Sequence, residues 1–234
     1  MIHCELINYT PNPEKTIATA GKLCYSNSNI YKLLDSLDDI TVEQFINKLM
    51  EMGHESPLEH VTFTFAIEGI SRTLTHQLVR HRIASYSQQS QRYVNESSFE
   101  YIVPPSIAKN QRSVSKFTNL MISINRVYNE LIDAGIPKED ARYILPNATE
   151  TKIIATFNAR SLLHFFSLRC CNRAQWEIRI LANLMLAEVK KVAPLLFNKA
   201  GSACKQKSYC PEGKMSCGIV PTLSSLLDKN KKVN

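Results

Sequence analysis

The chain has 234 residues, 44% of them hydrophobic, which is enough for a sizeable core and excludes a compositionally disordered protein. Its 28 Lys and Arg against 21 Asp and Glu give a formal charge of +7, but residues 199–234 alone hold seven lysines against Glu212 and Asp228. The seven glycines are under half the usual share of about 7%. They never lie closer than five positions apart, which excludes a G-x-G-x-x-G turn, and the one pair at P-loop spacing, Gly213 and Gly218, is followed by Ile219 instead of a lysine.

Residues 2–8 read as a strand. Pro13, whose ring suits the first turn of a helix, starts one that runs to about residue 25 with Ile17, Ala20 and Cys24 on one stripe. Residues 26–39 read as a polar loop. Thr41 with Gln44 three positions later is a capping-box signature, and its helix buries Val42, Phe45, Ile46 and Leu49 before Gly53 caps it. A polar connection, 54–60, leads to β-branched and aromatic alternation over 61–67, which predicts a strand. Ser71 is the expected cap of a helix reaching about residue 85, with Leu74, Leu78 and Val79 inward. An extended stretch at 101–103 ends at Pro104-Pro105, and a long helix, 114–134, stops at Gly135. Pro137 opens a short helix that ends at Leu145-Pro146, because the residue before a proline disfavours helix. A strand over 152–158 and helices over 160–169 and 174–197 complete the pattern. Isolated strands among unequal helices give an α+β class, mixed helices around a small central sheet, in a single domain spanning 1–198 with a basic, cysteine-containing tail, 199–234.

The N-terminus has no basic and apolar leader, and no apolar run approaches the ~20 residues of a membrane span. Seven scattered cysteines read as free thiols. The expectation is a soluble cytoplasmic protein, with no metal site and no membrane partner.

Two windows lack acids. Between Glu68 and Glu96 stand Arg72, Arg80, Arg82 and Arg92; between Glu150 and Glu177 stand Lys152, Arg160, Arg169 and Arg173. Arginine's planar fork suits bidentate recognition of phosphate, carboxylate or imide, whereas the tail's lysines suit water. On a continuous helix Gln77 and Arg80 share a face, and Arg80 and Arg82 diverge by about 200°. Ser, Gln and Arg follow over 85–92, all hydrogen-bonding groups suited to a nucleotide. A solvated basic helix with a polar loop is the alternative. In the second window Arg169 and Arg173 stand at i, i+4 if the helix continues, with Glu177 as a partner for Arg173.

Arg80-His81-Arg82, seven residues and Ser90 resemble the RHR-x7-S signature of flavin-dependent thymidylate synthases. The run from Gly53 through His54, Glu55, Ser56, Pro57, Leu58 and Glu59 to His60 resembles the same family. So do Asn158-Ala-Arg160-Ser-Leu and Arg169 with Arg173-Ala-Gln-Trp-Glu177, in the same order over roughly 1–198. The resemblance implies reductive methylation of deoxyuridylate (dUMP) to thymidylate (dTMP), with 5,10-methylenetetrahydrofolate as carbon donor, NADPH as reductant and FAD as relay. It also implies a homotetramer with shared active sites, without nucleic acid. By that resemblance Gln77, Arg80, Gln88, Gln89, Ser90, Gln91, Arg92, Arg142 and Arg169 contact dUMP. Ser56, Arg80, His81, Arg82, Gln88, Asn158, Arg160 and His164 contact FAD. Arg169 is the catalytic candidate, set against the uracil N3/O4 edge, and Ser90 takes an orienting role. Gln88, His164 and Arg173 stand where other members carry Glu, Asn and His.

Three alternatives remain beside this reading. Cys170-Cys171, next to Arg169, form a candidate low-pKa thiol pair, with inert packing as the plainer account. A nucleic-acid-binding module would use residues 71–92 and the lysine tail, and a different flavoprotein reductase would act on another substrate.

Overall fold

Extended β-branched and aromatic stretches form one four-stranded sheet in the computed structural model, which describes residues 1–225. The strands are β1 (His3–Tyr9), β2 (Thr62–Ser71), β3 (Ala84–Gln88) and β4 (Glu150–Asn158), in the order β1-β2-β4-β3. Thr10 N donates to Thr62 O at 3.1 Å, while the Met1 carbonyl lies against Gly69, so β1 and β2 run antiparallel. Arg72 N to Thr149 O and Ala159 N to Val61 O, both 3.0 Å, fix the same sense for β2 and β4. Alternation sets the faces: Phe63, Phe65 and Ile67 of β2 and Ile153, Ala155 and Phe157 of β4 are buried, whereas Glu68, Lys152 and Ile154 are exposed.

In chain order the helices are α1 (Pro13–Leu23), α2 (Ile30–Asp35), α3 (Asp39–Met52), α4 (Arg72–Leu78), α5 (Pro105–Ala108) and α6 (Gln111–Asp133). They continue with α7 (Lys138–Ala141), α8 (Ala159–Arg169), α9 (Trp176–Val192), α10 (Pro194–Phe197) and α11 (Ala203–Lys207), and the α+β class expected from the sequence is the one observed. The chain packs as two compact units: Met1–His3, Ala66–Arg80 and Tyr86–Ala155 form the first, and Cys4–Phe65, His81–Ser85 and the chain from Thr156 form the second.

In the first unit α6 buries Met121 and Tyr128, and Tyr128 Oη accepts from Glu96 N at 3.4 Å. Phe99, Tyr101 and Phe117 meet edge to face beside it. In the second, α1 packs on α3 and α8 on α9. Their core is an aromatic chain: Phe63 meets Phe197 at 5.3 Å between centroids, Phe197 meets Phe166 at 5.9 Å, and Phe166 meets Phe165 at 5.8 Å. The carboxylate of Glu14 in α1 accepts from Leu195 N and Leu196 N at 2.6 and 3.2 Å, capping the first turn of α10.

Several local expectations are corrected. The polar loop at 26–39 contains α2, capped by Asn29 and anchored by buried Leu33 and Leu37. Asp38, not Thr41, caps α3: its Oδ1 accepts from Thr41 N at 2.8 Å. α1 buries Ile17, Ala18 and Gly21, not Ala20 and Cys24, because a Cβ at Gly21 would stand 2.8 Å from both Leu49 and Phe45 of α3. The helix after Ser71 ends at Leu78 with Val79 exposed, and residues 84–88 pair as β3 with β4, where Gln89 N donates to Lys152 O. The polar run at 54–60 closes into a 3-10 turn, Ser56–His60, which buries Pro57 and Leu58. The last helix breaks at Ala193 before Pro194. The end of the expected tail, 226–234 with Lys229, Lys231 and Lys232, lies outside the described residues.

Two glycines at nearly the same dihedral give a matched test. Gly53 has φ +67° and nothing within 4 Å of an added Cβ, while Gly69 has φ +69° and would place its Cβ 2.4 Å from the Met1 carbonyl oxygen. Gly53→Ala is expected to destabilise by about 1–2 kcal/mol, the left-handed strain alone. Gly69→Ala is expected to lose clearly more in urea denaturation, and equal losses would contradict this packing.

Candidate active site

Helix α8 organises the second unit's polar side chains. Asn158 caps it, its Oδ1 accepting from Ser161 N at 2.8 Å, which fixes the amide at the start of the helix. Arg160 and His164 follow at i, i+4 spacing on the exposed side, while Leu162, Phe165 and Phe166 face the core. Arg160 donates from Nε to Glu55 at 3.0 Å and from Nη1 to Glu59 at 2.6 Å, and these carboxylates raise its pKa. Glu59 lies in the Ser56–His60 turn that packs on α8 and Glu55 just before it, so the acid-free window finds its acids in the 54–60 connection. In the same turn His54 joins Tyr25 Oη to Ser56 Oγ, 3.0 Å on each side.

At the other end of α8, Arg169 donates from Nε to His81 Nε2 at 3.0 Å. An imidazole that accepts at Nε2 is neutral and carries its proton on Nδ1. Burial, then the charge of Arg169 and His164, pushes the His81 pKa down to about 4. The ring also lies edge-on to Phe165, with centroids 4.9 Å apart, and to His164 at 6.4 Å. The aromatic core therefore fixes the ring, and the ring fixes the guanidinium. Arg82 is exposed one residue later.

The first unit holds the other candidates. Arg80 is exposed just past the end of α4, in a turn where its N–H donates to Gln77 O at 3.3 Å. Arg80 thus lies outside α4, and Arg80 and Arg82 do not diverge from one helix. Gln88 Nε2 donates to Thr75 Oγ1 at 3.0 Å and Thr151 Oγ1 at 3.3 Å, so its amide is turned into the unit. Gln89 is held by Lys152 O through its N–H and by Arg72 Nη2 through its carbonyl, at 2.7 Å. Ser90 Oγ accepts from Arg92 N at 3.3 Å. Arg92 donates from Nε and Nη2 to Glu139 at 3.0 and 2.9 Å, and Arg142 Nε donates to the Glu139 carbonyl at 3.1 Å. Both arginines thus converge on one residue of α7. The Nε2 of Gln91 is buried with no hydrogen-bond partner among the described residues.

The structure places Gln77, Arg80, residues 88–92 and Arg142 in the first unit, and Ser56, His81, Arg82, Asn158, Arg160, His164 and Arg169 in the second. His54, Tyr25, Glu139 and the buried role of Arg72 are not marked as site residues by the sequence alone. Of these, Arg72 carries a signal there as a cation in the first acid-free window, and His54 as part of the 53–60 run. Arg173 is corrected too: α8 ends at Arg169, so the two arginines are not on one helix, and Arg173 pairs with Glu212.

The family model of the thymidylate synthase complementing protein matches residues 5–195 of the chain. The chain is 54% identical over 233 residues to a flavin-dependent thymidylate synthase of Clostridium tetani, covering 93% of each. It is 53% identical to the flavin-dependent thymidylate synthase of Geobacter sulfurreducens, over 91% of this chain and 92% of the relative. Against the protein of the same name from Nitratidesulfovibrio vulgaris the identity is 44%, over 95% and 96%.

The cysteine alternative turns on burial. Cys170 follows Arg169, yet burial pushes its thiol up to about 11, outweighing Lys205 and Lys190. Cys217 is exposed, and the Ile219 N–H, with a weaker contribution from Asn172, lowers its pKa. Iodoacetamide at pH 8, followed by peptide mass mapping of the native protein, is expected to label Cys217 well before Cys170. Preferential labelling of Cys170 would reinstate it as a reactive group.

Proposed function

The chain belongs to the thymidylate synthase complementing protein family, the flavin-dependent thymidylate synthases, and on that premise we propose that it converts dUMP to dTMP by reductive methylation. The carbon comes from 5,10-methylenetetrahydrofolate and the reducing equivalents from NADPH. Bound FAD supplies the redox chemistry, carrying those equivalents to the pyrimidine. The observation that carries the reading is the hydrogen bond from Arg169 to a neutral His81.

The second unit's donor set suits a flavin. His81 and His164 are hydrogen-bonding heterocycles, Ser56 and Asn158 add a hydroxyl and an amide, and Arg82 and Arg160 add fixed positive charge for a pyrophosphate. The Arg160 ion pairs are half-exposed and screened by solvent, so they yield readily to a phosphate. Gln88 fits least well, because its amide already serves Thr75 and Thr151.

Arg169, with its Nε fixed by His81, holds its guanidinium plane in one orientation. Set against the uracil N3/O4 edge, it stabilises the negative charge that makes C5 nucleophilic. Because His81 accepts from it and remains uncharged, the acceptor orients the cation without neutralising it. Arg80, Arg92 and Arg142 are the phosphate-binding cations, with Ser90, Gln77, Gln89 and Gln91 as hydrogen-bonding partners of the nucleotide. Arg92 is held meanwhile by Glu139 in a half-exposed pair that a phosphate dianion displaces at little cost. The working form is a homotetramer with shared active sites. Among the described residues no helix is long and apolar enough to cross a membrane, and we place the activity in the cytoplasm.

The purified protein is expected to show a flavin absorbance that resolves as FAD, and to form dTMP from dUMP, methylenetetrahydrofolate and NADPH. A colourless preparation that takes up no added FAD would sink the reading. Arg169→Ala is expected to lower kcat by at least about a hundredfold, the scale of losing one fixed donor to a developing charge, with the flavin spectrum unchanged. Turnover within a few-fold of wild type would remove its assigned role.

A further inference from the structure

Arg72 is the one arginine of the first acid-free window that the functional reading leaves unassigned, and it is the most deeply placed of the four. It opens α4, where Ser71 caps by accepting from Leu74 N at 3.1 Å. Its own N–H donates to Thr149 O, and Thr73 binds Asn147 O through both backbone and hydroxyl, so the start of α4 is clamped to the chain entering β4. From this fixed base the side chain reaches across to residue 89. The Nη2 donates to the Gln89 carbonyl at 2.7 Å, a short charge-assisted bond, while Nε is buried with no partner. Glu96 and Arg142 lie near enough to act on its charge.

What Arg72 holds is the root of the proposed nucleotide-binding segment. Gln89 is gripped on one side by β4 and on the other by this guanidinium. Immediately beyond it the chain turns, with Tyr93 N and Val94 N donating to Ser90 O at 3.3 and 3.0 Å. The far end is tied to α7, through Arg92 to Glu139 and through Lys138 Nζ to Tyr93 O at 3.0 Å. Of the two side-chain ties made by arginine, the Arg92 pair is half-exposed and exchangeable, whereas the Arg72 bond is partly buried. The buried side-chain N and O atoms without partners among the described residues are Arg72 Nε and Gln91 Nε2. Both are donors, and a buried unsatisfied donor is costly until an acceptor arrives. One belongs to the residue that grips Gln89 and the other lies two positions after it, so this segment lacks acceptors, which a nucleotide's phosphate and carbonyl oxygens supply.

We propose that Arg72 is a positioning residue for dUMP: by pinning the Gln89 carbonyl it presents Ser90, Gln91 and Arg92 to the nucleotide. This rests on the reading of 88–92 as the dUMP segment. The role calls for a fork on a rigid base, so the conservative substitution Arg72→Lys retains only part of it: a single ammonium reaches the carbonyl without the planar geometry.

The test uses FAD-loaded full-length enzyme. In Arg72→Gln the Kd for dUMP, by isothermal titration, and its KM are expected to rise about tenfold, the scale of one charge-assisted bond. The kcat, the KM for NADPH and the flavin spectrum stay within about twofold of wild type, and Arg72→Lys falls between the two. An unchanged dUMP Kd in Arg72→Gln overturns the proposal. So does a loss shared equally by dUMP, NADPH and flavin content, which marks a purely structural role. Should Arg72→Gln not yield folded holoenzyme, Arg72→Lys decides: a Kd raised several-fold supports the role, and a wild-type Kd overturns it. Wild-type holoenzyme that fails to bind dUMP overturns the functional reading itself, a result distinct from a wild type that binds and a variant that matches it.

Discussion

The hydrogen bond from Arg169 Nε to His81 Nε2 imposes a condition that much of the second unit serves: the imidazole must be uncharged. A protonated ring would present an N–H to an N–H and a cation to a cation. Burial is the largest influence keeping it neutral, followed by the guanidinium and His164. That burial comes from the aromatic chain that runs from Phe197 and Phe63 through Phe166 to Phe165, against whose edge His81 lies. Replacing water by hydrocarbon around one histidine thus links core packing to the orientation of the Arg169 guanidinium, the cation proposed to be catalytic.

The same reliance on side chains is what the proposed function asks of a chain with few glycines. A glycine-rich loop binds phosphate through backbone N–H groups, which requires unusual dihedrals. Here the six glycines with positive φ serve turns, caps and one close approach, at Gly69. In the proposed function anion recognition falls instead to arginines that need holding in place. Some are held by half-exposed carboxylates, as Arg92 is by Glu139 and Arg160 by Glu55 and Glu59. Such pairs orient a side chain with little energy bound up in the contact. Others are held by neutral acceptors, as Arg169 is by an imidazole and Arg72 by a carbonyl. A neutral acceptor orients a guanidinium without itself cancelling the charge, which a carboxylate does.

Elements whose signal is local are legible in the sequence. Strands β2 and β4 alternate cleanly, α8 and α6 carry helical stripes, and Gly53 and Ser71 cap where their chemistry requires. Elements set by distant partners are not. Residues 79–88 have helix-compatible composition, yet pairing with β4 draws 84–88 into a strand, and the Arg80–Arg82 triplet is left in the turn before it. The buried face of α1 departs from its apolar stripe: it includes Gly21, whose missing side chain admits Leu49 and Phe45 of α3. At the site, residue types in the acid-free windows point to anion binding, but spacing cannot show that Glu55 and Glu59 reach Arg160 across more than a hundred residues, or that Glu212 takes Arg173. The resemblance orders the motifs; only the folded chain relates His81 to Arg169.

The most direct measurement is the nitrogen-15 chemical shift pair of the His81 ring in folded protein at pH 7, followed as pH falls. The expected result is a neutral ring protonated at Nδ1, with Nε2 as acceptor, that gains its second proton only near pH 4. The sign follows: below pH 6.5 an exposed histidine in the unfolded chain takes a proton that the folded His81 refuses, so this group's contribution weakens the fold as pH drops from about 6.5 toward 4. A ring that carries its proton on Nε2 at pH 7, or that titrates near 6.5, would contradict the acceptor role on which Arg169's placement depends.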